Sequence, residues 1–269
     1  MNLKVNGDVY NLEICGYGEP LLLLHGFTGN AGTWKPFCEI LGQHSLMICP
    51  DLPGHGKTDF NGGHERFSIE STVHGLKGII DELKIGKVNL LGYSMGGRLA
   101  LAFALTYPGR VGKLILESSS PGLANEKERQ VRRMKDSELA NFILEEGTEA
   151  FVDYWENIPL FKSIQAMPDK VTDAIRTQRM ENSPEGLAKS LIGMGTGAQP
   201  SYWDRLPELE ADVLLLAGEF DEKFCGIAEK MGALINSASV VIVEDTGHAV
   251  HVENPEKFGT IVSGFLTNT

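Results

Sequence analysis

"GYSMGGR", Gly92 to Arg98, sets a serine between glycines and an arginine four residues behind it. The apolar run "VNLLGY" ends at Ser94. "MGGRLALAFALTYPGR" then has the composition of a buried helix that stops near Pro108 and Gly109. A strand that turns directly into a helix at a serine flanked by glycines is the context of a G-x-S-x-G elbow. Gly92 and Gly96 leave room for the sharp turn, and the helix start adds unpaired N–H groups and a positive dipole end. The same residues also fit a glycine-rich turn with an incidental serine, so the partners of Ser94 decide the reading.

A serine hydroxyl is a weak nucleophile and a weak base without a histidine, and that histidine needs an acid to orient it. The expected chain order is serine, acid, histidine, each just beyond the C-terminal end of a strand. Asp221 follows "VLLLAGEF", and His248 follows "VVIVEDTG", with Gly247 allowing a tight turn. Asp245 lies three residues before His248 and competes for the acid, but Asp221 follows its own strand. His251 competes for the base one helical step past His248, without the preceding glycine. His25, in "LLLLHGFTG", comes too early in the chain for the base and shapes a loop instead. That loop brings Phe27, whose backbone N–H with that of Met95 makes a two-donor oxyanion hole. Asp51 and His55, in "DLPGHGKT", read as loop-forming.

Outward from the elbow, short Leu-, Ile- and Val-rich runs alternate with helical patterns. "LLLLHG", "LMICPDL", "KVNLLGYS" and "GKLILESS" are the continuous apolar runs of parallel strands buried on both faces. "VYNLEICG" alternates and predicts an early hairpin strand. "FSIESTVHGLKGIIDELKI" has helical spacing, with Ser68 and Glu70 at its start. After Ala211 the alternation resumes with "ADVLLLAGEFD", a helix from about Phe224 to Leu234, "SASVVIVED" and a helix from about Pro255 to Phe265. The fold class is α/β, a mostly parallel sheet with helices on both faces. Residues 121–207 are polar and helical in pattern, punctuated by Pro159, Pro168, Pro184 and Pro200. They predict a helical cap inserted into a core of residues 1–120 and 208–269.

The 269 residues carry a formal net charge of −12, which disfavours nucleic acid and anionic membranes as partners. The longest aliphatic run is too short to span a bilayer, and the N-terminus lacks the apolar core of a signal peptide. A cytoplasmic chain is expected. Cys15, Cys38, Cys49 and Cys225 show no paired or metal-type spacing and read as reduced thiols.

Arginine is unevenly placed. Six of nine, Arg129, Arg132, Arg133, Arg176, Arg179 and Arg205, fall in the 87-residue cap, whereas lysine shows no such bias. Arg98 shares a helix face with Ser94. Guanidinium groups suit bidentate pairing with carboxylates, so a small polycarboxylate is the expected partner. The run "NEKERQVRRMKDSE" also fits a solvated helix with internal ion pairs.

"LLHGFTGN", "DLPGHGKT", "GYSMGGR", "AGEFDEKF" and "DTGHAVHVENPE" together resemble the α/β-hydrolase superfamily over nearly the whole chain. "ESSSPGLANEKERQVRR", "YWENIP" and "QRMENSPEGLAKSL", with the elbow, are similar to the 2-succinyl-6-hydroxy-2,4-cyclohexadiene-1-carboxylate synthases of menaquinone biosynthesis. The resemblance implies a lyase that eliminates pyruvate from a substrate with three carboxylates, 2-succinyl-5-enolpyruvyl-6-hydroxy-3-cyclohexene-1-carboxylate. It implies no metal and no organic cofactor. It assigns substrate carboxylates to Arg98, Arg132 and Arg179, with Arg176 a competing match for the last, and lines the pocket with Tyr93 and Trp155. In this reading Ser94 acts as a base backed by His248 and Asp221. The other reading of the same residues is a carboxylesterase or C–C bond hydrolase.

Overall fold

A computed structural model describes residues 1–60 and 62–268. Its strands are β1 (Asn2–Val5), β2 (Asp8–Cys15), β3 (Glu19–Leu24), β4 (Ser45–Pro50), β5 (Val88–Tyr93), β6 (Val111–Glu117), β7 (Asp212–Gly218) and β8 (Ala238–Val243). They form one sheet in the order β1-β2-β4-β3-β5-β6-β7-β8. The β1–β2 and β2–β4 pairs are antiparallel, and every pairing from β4 through β8 is parallel. The helices are α1 (Ile69–Glu82), α2 (Met95–Thr106), α3 (Glu126–Trp155), α4 (Lys162–Gln165), α5 (Asp169–Met180), α6 (Pro184–Met194), α7 (Glu222–Gly232), α8 (Val250–Glu253) and α9 (Pro255–Thr267).

The apolar runs are continuous because both sheet faces are covered. Successive side chains of a strand point to opposite faces. In β3, Leu22 and Leu24 join a core with residues of α1, α2 and α7, whereas Leu21 and Leu23 join Trp34, Phe37 and, from α9, Phe258. α2 is buried from Met95 through Leu105, as its composition implied. Ser68 caps α1 by accepting the Ser71 N–H at 3.1 Å. α7 starts at Glu222, two residues before the expected Phe224, because the Asp221 side chain caps it.

After β3 the chain moves to β4 on one side, and it then returns to β5 on the other. This reversal opens a crevice at the C-terminal ends of β3 and β5, where open α/β sheets place their ligands. Residues between β6 and β7 form α3 to α6, with no strand among the described residues. α3 is broken at Gly147, whose φ of 82° only glycine adopts readily. Ile143, Phe151 and Val152 of α3 pack with Leu187, Ala188 and Leu191 of α6 in a small core that Phe27 touches from the sheet side. Among the described residues no helix is long and apolar enough to cross a membrane.

The reading of four reduced cysteines is corrected. Cys15 and Cys38 form a disulfide, with Cα atoms 6.1 Å apart and positions separated by 23 in sequence. The fold makes them neighbours: Cys15 ends β2, and Cys38 ends a 3-10 turn (Ala31–Cys38) packed against β2 and β4. Cys49 and Cys225 are free, and burial pushes the thiol pKa of each upward.

Candidate active site

Ser94 sits between β5 and α2 with φ 50° and ψ −106°, a strained backbone for a residue with a side chain. Its N–H donates to the Glu117 carbonyl at 2.9 Å, and the Ser94 carbonyl accepts the Arg98 N–H at 3.1 Å. The flanking glycines are sterically required. A Cβ at Gly92 would strike the Gly96 carbonyl, and one at Gly96 would strike the carbonyls of Leu24 and His25. Met95 opens α2, so its amide is among the helix N–H groups with no intrahelical partner. Phe27 lies opposite, in the loop after β3, and lines the same cavity.

Past the ends of β7 and β8 stand Asp221 and His248, both buried. His248 Nδ1 is 2.6 Å from Asp221 Oδ2, and Nε2 is 3.0 Å from Ser94 Oγ. An ionised carboxylate only accepts, so Nδ1 donates to Asp221 and Nε2 is left to accept the serine proton. Glu253 holds the histidine loop from below, accepting the Gly247 N–H at 2.6 Å and the Ala249 N–H at 3.2 Å.

The rival residues are engaged elsewhere. Asp245 is exposed, and its N–H donates to Glu219. His251 is bound to Glu117. His25 Nδ1 meets the Gly26 carbonyl at 2.8 Å, Nε2 accepts the Leu52 N–H at 3.0 Å, and burial lowers the ring's pKa. His55 is pushed down to about 3, by burial first and then by His25. Asp51 ties its loop together, accepting from the N–H groups of Ala31 and Lys57 and from Asn11 Nδ2.

Ser94 and His248 open on a cavity of about 210 Å³ that Tyr93, Arg98, Arg132 and Trp155 also line. Arg98 is buried, and among the described residues its guanidinium donates to neutral groups, the Met194 carbonyl at 2.7 Å and Gln199 Oε1 at 2.8 Å. Burial, and then Arg132 nearby, bring its pKa down to about 10, still charged at neutral pH. Arg132 is half exposed and pairs with Asp136 at 2.7 Å. Burial raises the Asp136 pKa, against the opposite pull of Arg132 and Arg98.

The structure does not bring Arg179 into this cavity. Arg179 lines a second one of about 520 Å³, on the far side of Phe27, Tyr93 and Phe161, which border both. It is buried, lies 4.9 Å over the Phe161 ring, and has no ion-pair partner among the described residues. Its competitor Arg176 is bound to Asp153 at 2.7 Å and Glu156 at 2.8 Å. Arg129 and Arg133 are both paired with Glu126.

Sequence reasoning missed Glu117, Glu253, Asp136 and Gln199. One of them left a signal. Glu117 ends the apolar strand "GKLILE", where a carboxylate is costly unless it is paired.

A serine on a strand-to-helix elbow, a histidine and an acid after later strands, and helices set between β6 and β7 define a class of enzyme. The chain belongs to the alpha/beta hydrolase fold family, whose model matches residues 19–255. It is 50% identical over 250 residues to a Bacillus subtilis (strain 168) protein named provisionally as a 2-succinyl-6-hydroxy-2,4-cyclohexadiene-1-carboxylate synthase, covering 93% of this chain and 91% of that one. A 2-succinyl-6-hydroxy-2,4-cyclohexadiene-1-carboxylate synthase of Salmonella heidelberg (strain SL476) is 34% identical over 238 residues, 87% of this chain and 88% of that one. The structure of MenH from S. aureus superposes with a TM-score of 0.91 at 38% identity, covering 96% of this chain and 97% of that one.

Proposed function

We propose that this enzyme eliminates pyruvate from 2-succinyl-5-enolpyruvyl-6-hydroxy-3-cyclohexene-1-carboxylate, giving 2-succinyl-6-hydroxy-2,4-cyclohexadiene-1-carboxylate in menaquinone biosynthesis. The observation that carries the reading is Ser94, 3.0 Å from His248, opening on a cavity with a buried arginine that has no carboxylate partner among the described residues. A neutral ester gains nothing from that arginine. A substrate carboxylate gains a charge-assisted pair in a site shielded from water.

The ring proton to be removed lies next to the succinyl ketone. Ser94 passes its own proton to His248 Nε2 and takes the ring proton, while Asp221 stabilises the imidazolium. The enolate oxygen forms between the amides of Phe27 and Met95, as the oxyanion of an acyl transfer does elsewhere on this fold. Electrons move through the ring double bond and break the bond to the enolpyruvyl oxygen, and the departing enolpyruvate takes up a proton to become pyruvate as His248 gives up the one it received, which returns the enzyme to its starting state. No acyl-enzyme forms and no water is consumed. Arg98 and Arg132 hold the anion so that the proton faces Ser94, an orientation effect. Tyr93 and Trp155 wall the ring, and Arg179 takes a carboxylate from across Phe161. Residues 121–207 act as a lid over the core of 1–120 and 208–269. We place the enzyme in the cytoplasm.

The test supplies the enolpyruvyl substrate, follows pyruvate, and runs a neutral ester in parallel. Ser94→Ala is expected to lower pyruvate release by at least about 10³-fold while the substrate still binds. Faster turnover of the ester by the unaltered enzyme, or an acyl-enzyme trapped on the physiological substrate, overturns the lyase reading in favour of a hydrolase.

A further inference from the structure

β6 is apolar toward its end and finishes on Glu117, a carboxylate with no exposed surface. Both oxygens face one partner. His251 Nδ1 is 2.9 Å from Oε1 and 3.0 Å from Oε2, and the His251 backbone N–H donates to Oε1 at 3.0 Å. The Glu117 carbonyl accepts the Ser94 N–H at 2.9 Å. His251 lies three residues beyond His248. The Tyr93 ring packs against both histidines, with centroids 4.6 Å from His251 and 5.4 Å from His248. One residue therefore grips the serine backbone with its main chain and the histidine segment with its side chain.

Stability does not explain this choice. Removing a carboxylate from water costs several kcal/mol, and apolar residues of similar volume often do as well or better than a buried ion pair. Leu116 beside it in β6 and Leu216 opposite it in β7 are both buried and apolar. What a bidentate pair supplies and a leucine does not is a fixed direction and a fixed span.

We propose that Glu117, acting through His251, is a positioning residue that sets the span between Ser94 and His248. It lines neither cavity, and no step of the proposed reaction passes through it. The inference rests on Ser94 and His248 working as a pair, as proposed above, and not on the identity of the substrate.

Glu117→Gln keeps the volume and one acceptor but turns an amide N–H toward Nδ1. Glu117→Asp keeps the charge and shortens the reach. Each variant is compared with the unaltered enzyme in kcat and KM for pyruvate release, in the rate at which a fluorophosphonate probe labels Ser94 by intact mass, and in thermal midpoint. In Glu117→Gln, kcat and labelling rate are expected to fall together by at least about tenfold with KM within about twofold, since small misplacements of a reacting pair are costly. Glu117→Asp is expected to recover part of both, and it carries the test if Glu117→Gln does not fold. A lowered thermal midpoint with unchanged kcat and labelling overturns the proposal, because Glu117 then only supports the fold. If the unaltered enzyme releases no pyruvate but labelling still falls in both variants, the proposed reaction fails and the positioning role stands.

Discussion

Arg98 and Arg176 carry the same group into opposite surroundings. Arg98 is buried in α2 and donates to a carbonyl and an amide. Arg176, on the surface of α5, already holds two carboxylates, Asp153 and Glu156. The difference separates an arginine in direct ion pairs from one with no carboxylate within ion-pair distance among the described residues, though Asp136 lies near enough to act on its charge. Arg179, one helical turn from Arg176, falls on the Arg98 side of that divide: it is buried, stacked on Phe161 and without a carboxylate partner among the described residues.

Four substitutions test this contrast, taken from the largest effect to the smallest. Arg98→Ala is expected to lower kcat/KM for the tricarboxylate by on the order of 10²–10³, since truncating one partner of a buried charge pair costs the most. Unchanged kinetics would show that Arg98 serves only Met194 and Gln199. Arg179→Ala is expected to cost about tenfold to a hundredfold in kcat/KM, less than Arg98 because it reaches the site from the second cavity. No loss would place that cavity outside the substrate site. For Arg132→Ala the expectation is about tenfold, because the group is half exposed and shares its charge with Asp136. Arg176→Ala is expected to leave kcat/KM within about twofold, as a partly exposed and internally paired group should. A greater loss for Arg176→Ala than for Arg179→Ala would reverse the assignment of the two.

Ser94, Asp221 and His248 were legible because each is announced locally: an apolar run, then a turn, then the reactive side chain. The strands from β2 onward were legible for the same reason, whereas β1 (Asn2–Val5) went unread. The start of α7 shifted because Asp221 acts as both cap and histidine partner. Glu117 was half legible. Its position was odd in the sequence, but its partner lies 134 residues away. The state of Cys15 and Cys38 was misread because spacing carries no information about two segments that meet only on the folded sheet.

By itself the sequence determined the α/β alternation, the elbow, the order of serine, acid and histidine, and the concentration of arginine in the inserted helices. These depend on residues adjacent in the chain, where hydrophobic periodicity and turn chemistry act over a few positions. Only the tertiary structure decided which arginines meet a carboxylate directly and which do not among the described residues, which histidine meets Ser94 and which meets Glu117, and that Arg179 stands across Phe161 from the others. Charge pairing and burial act through space between segments far apart in sequence, and the chain order does not say which carboxylate a guanidinium will meet.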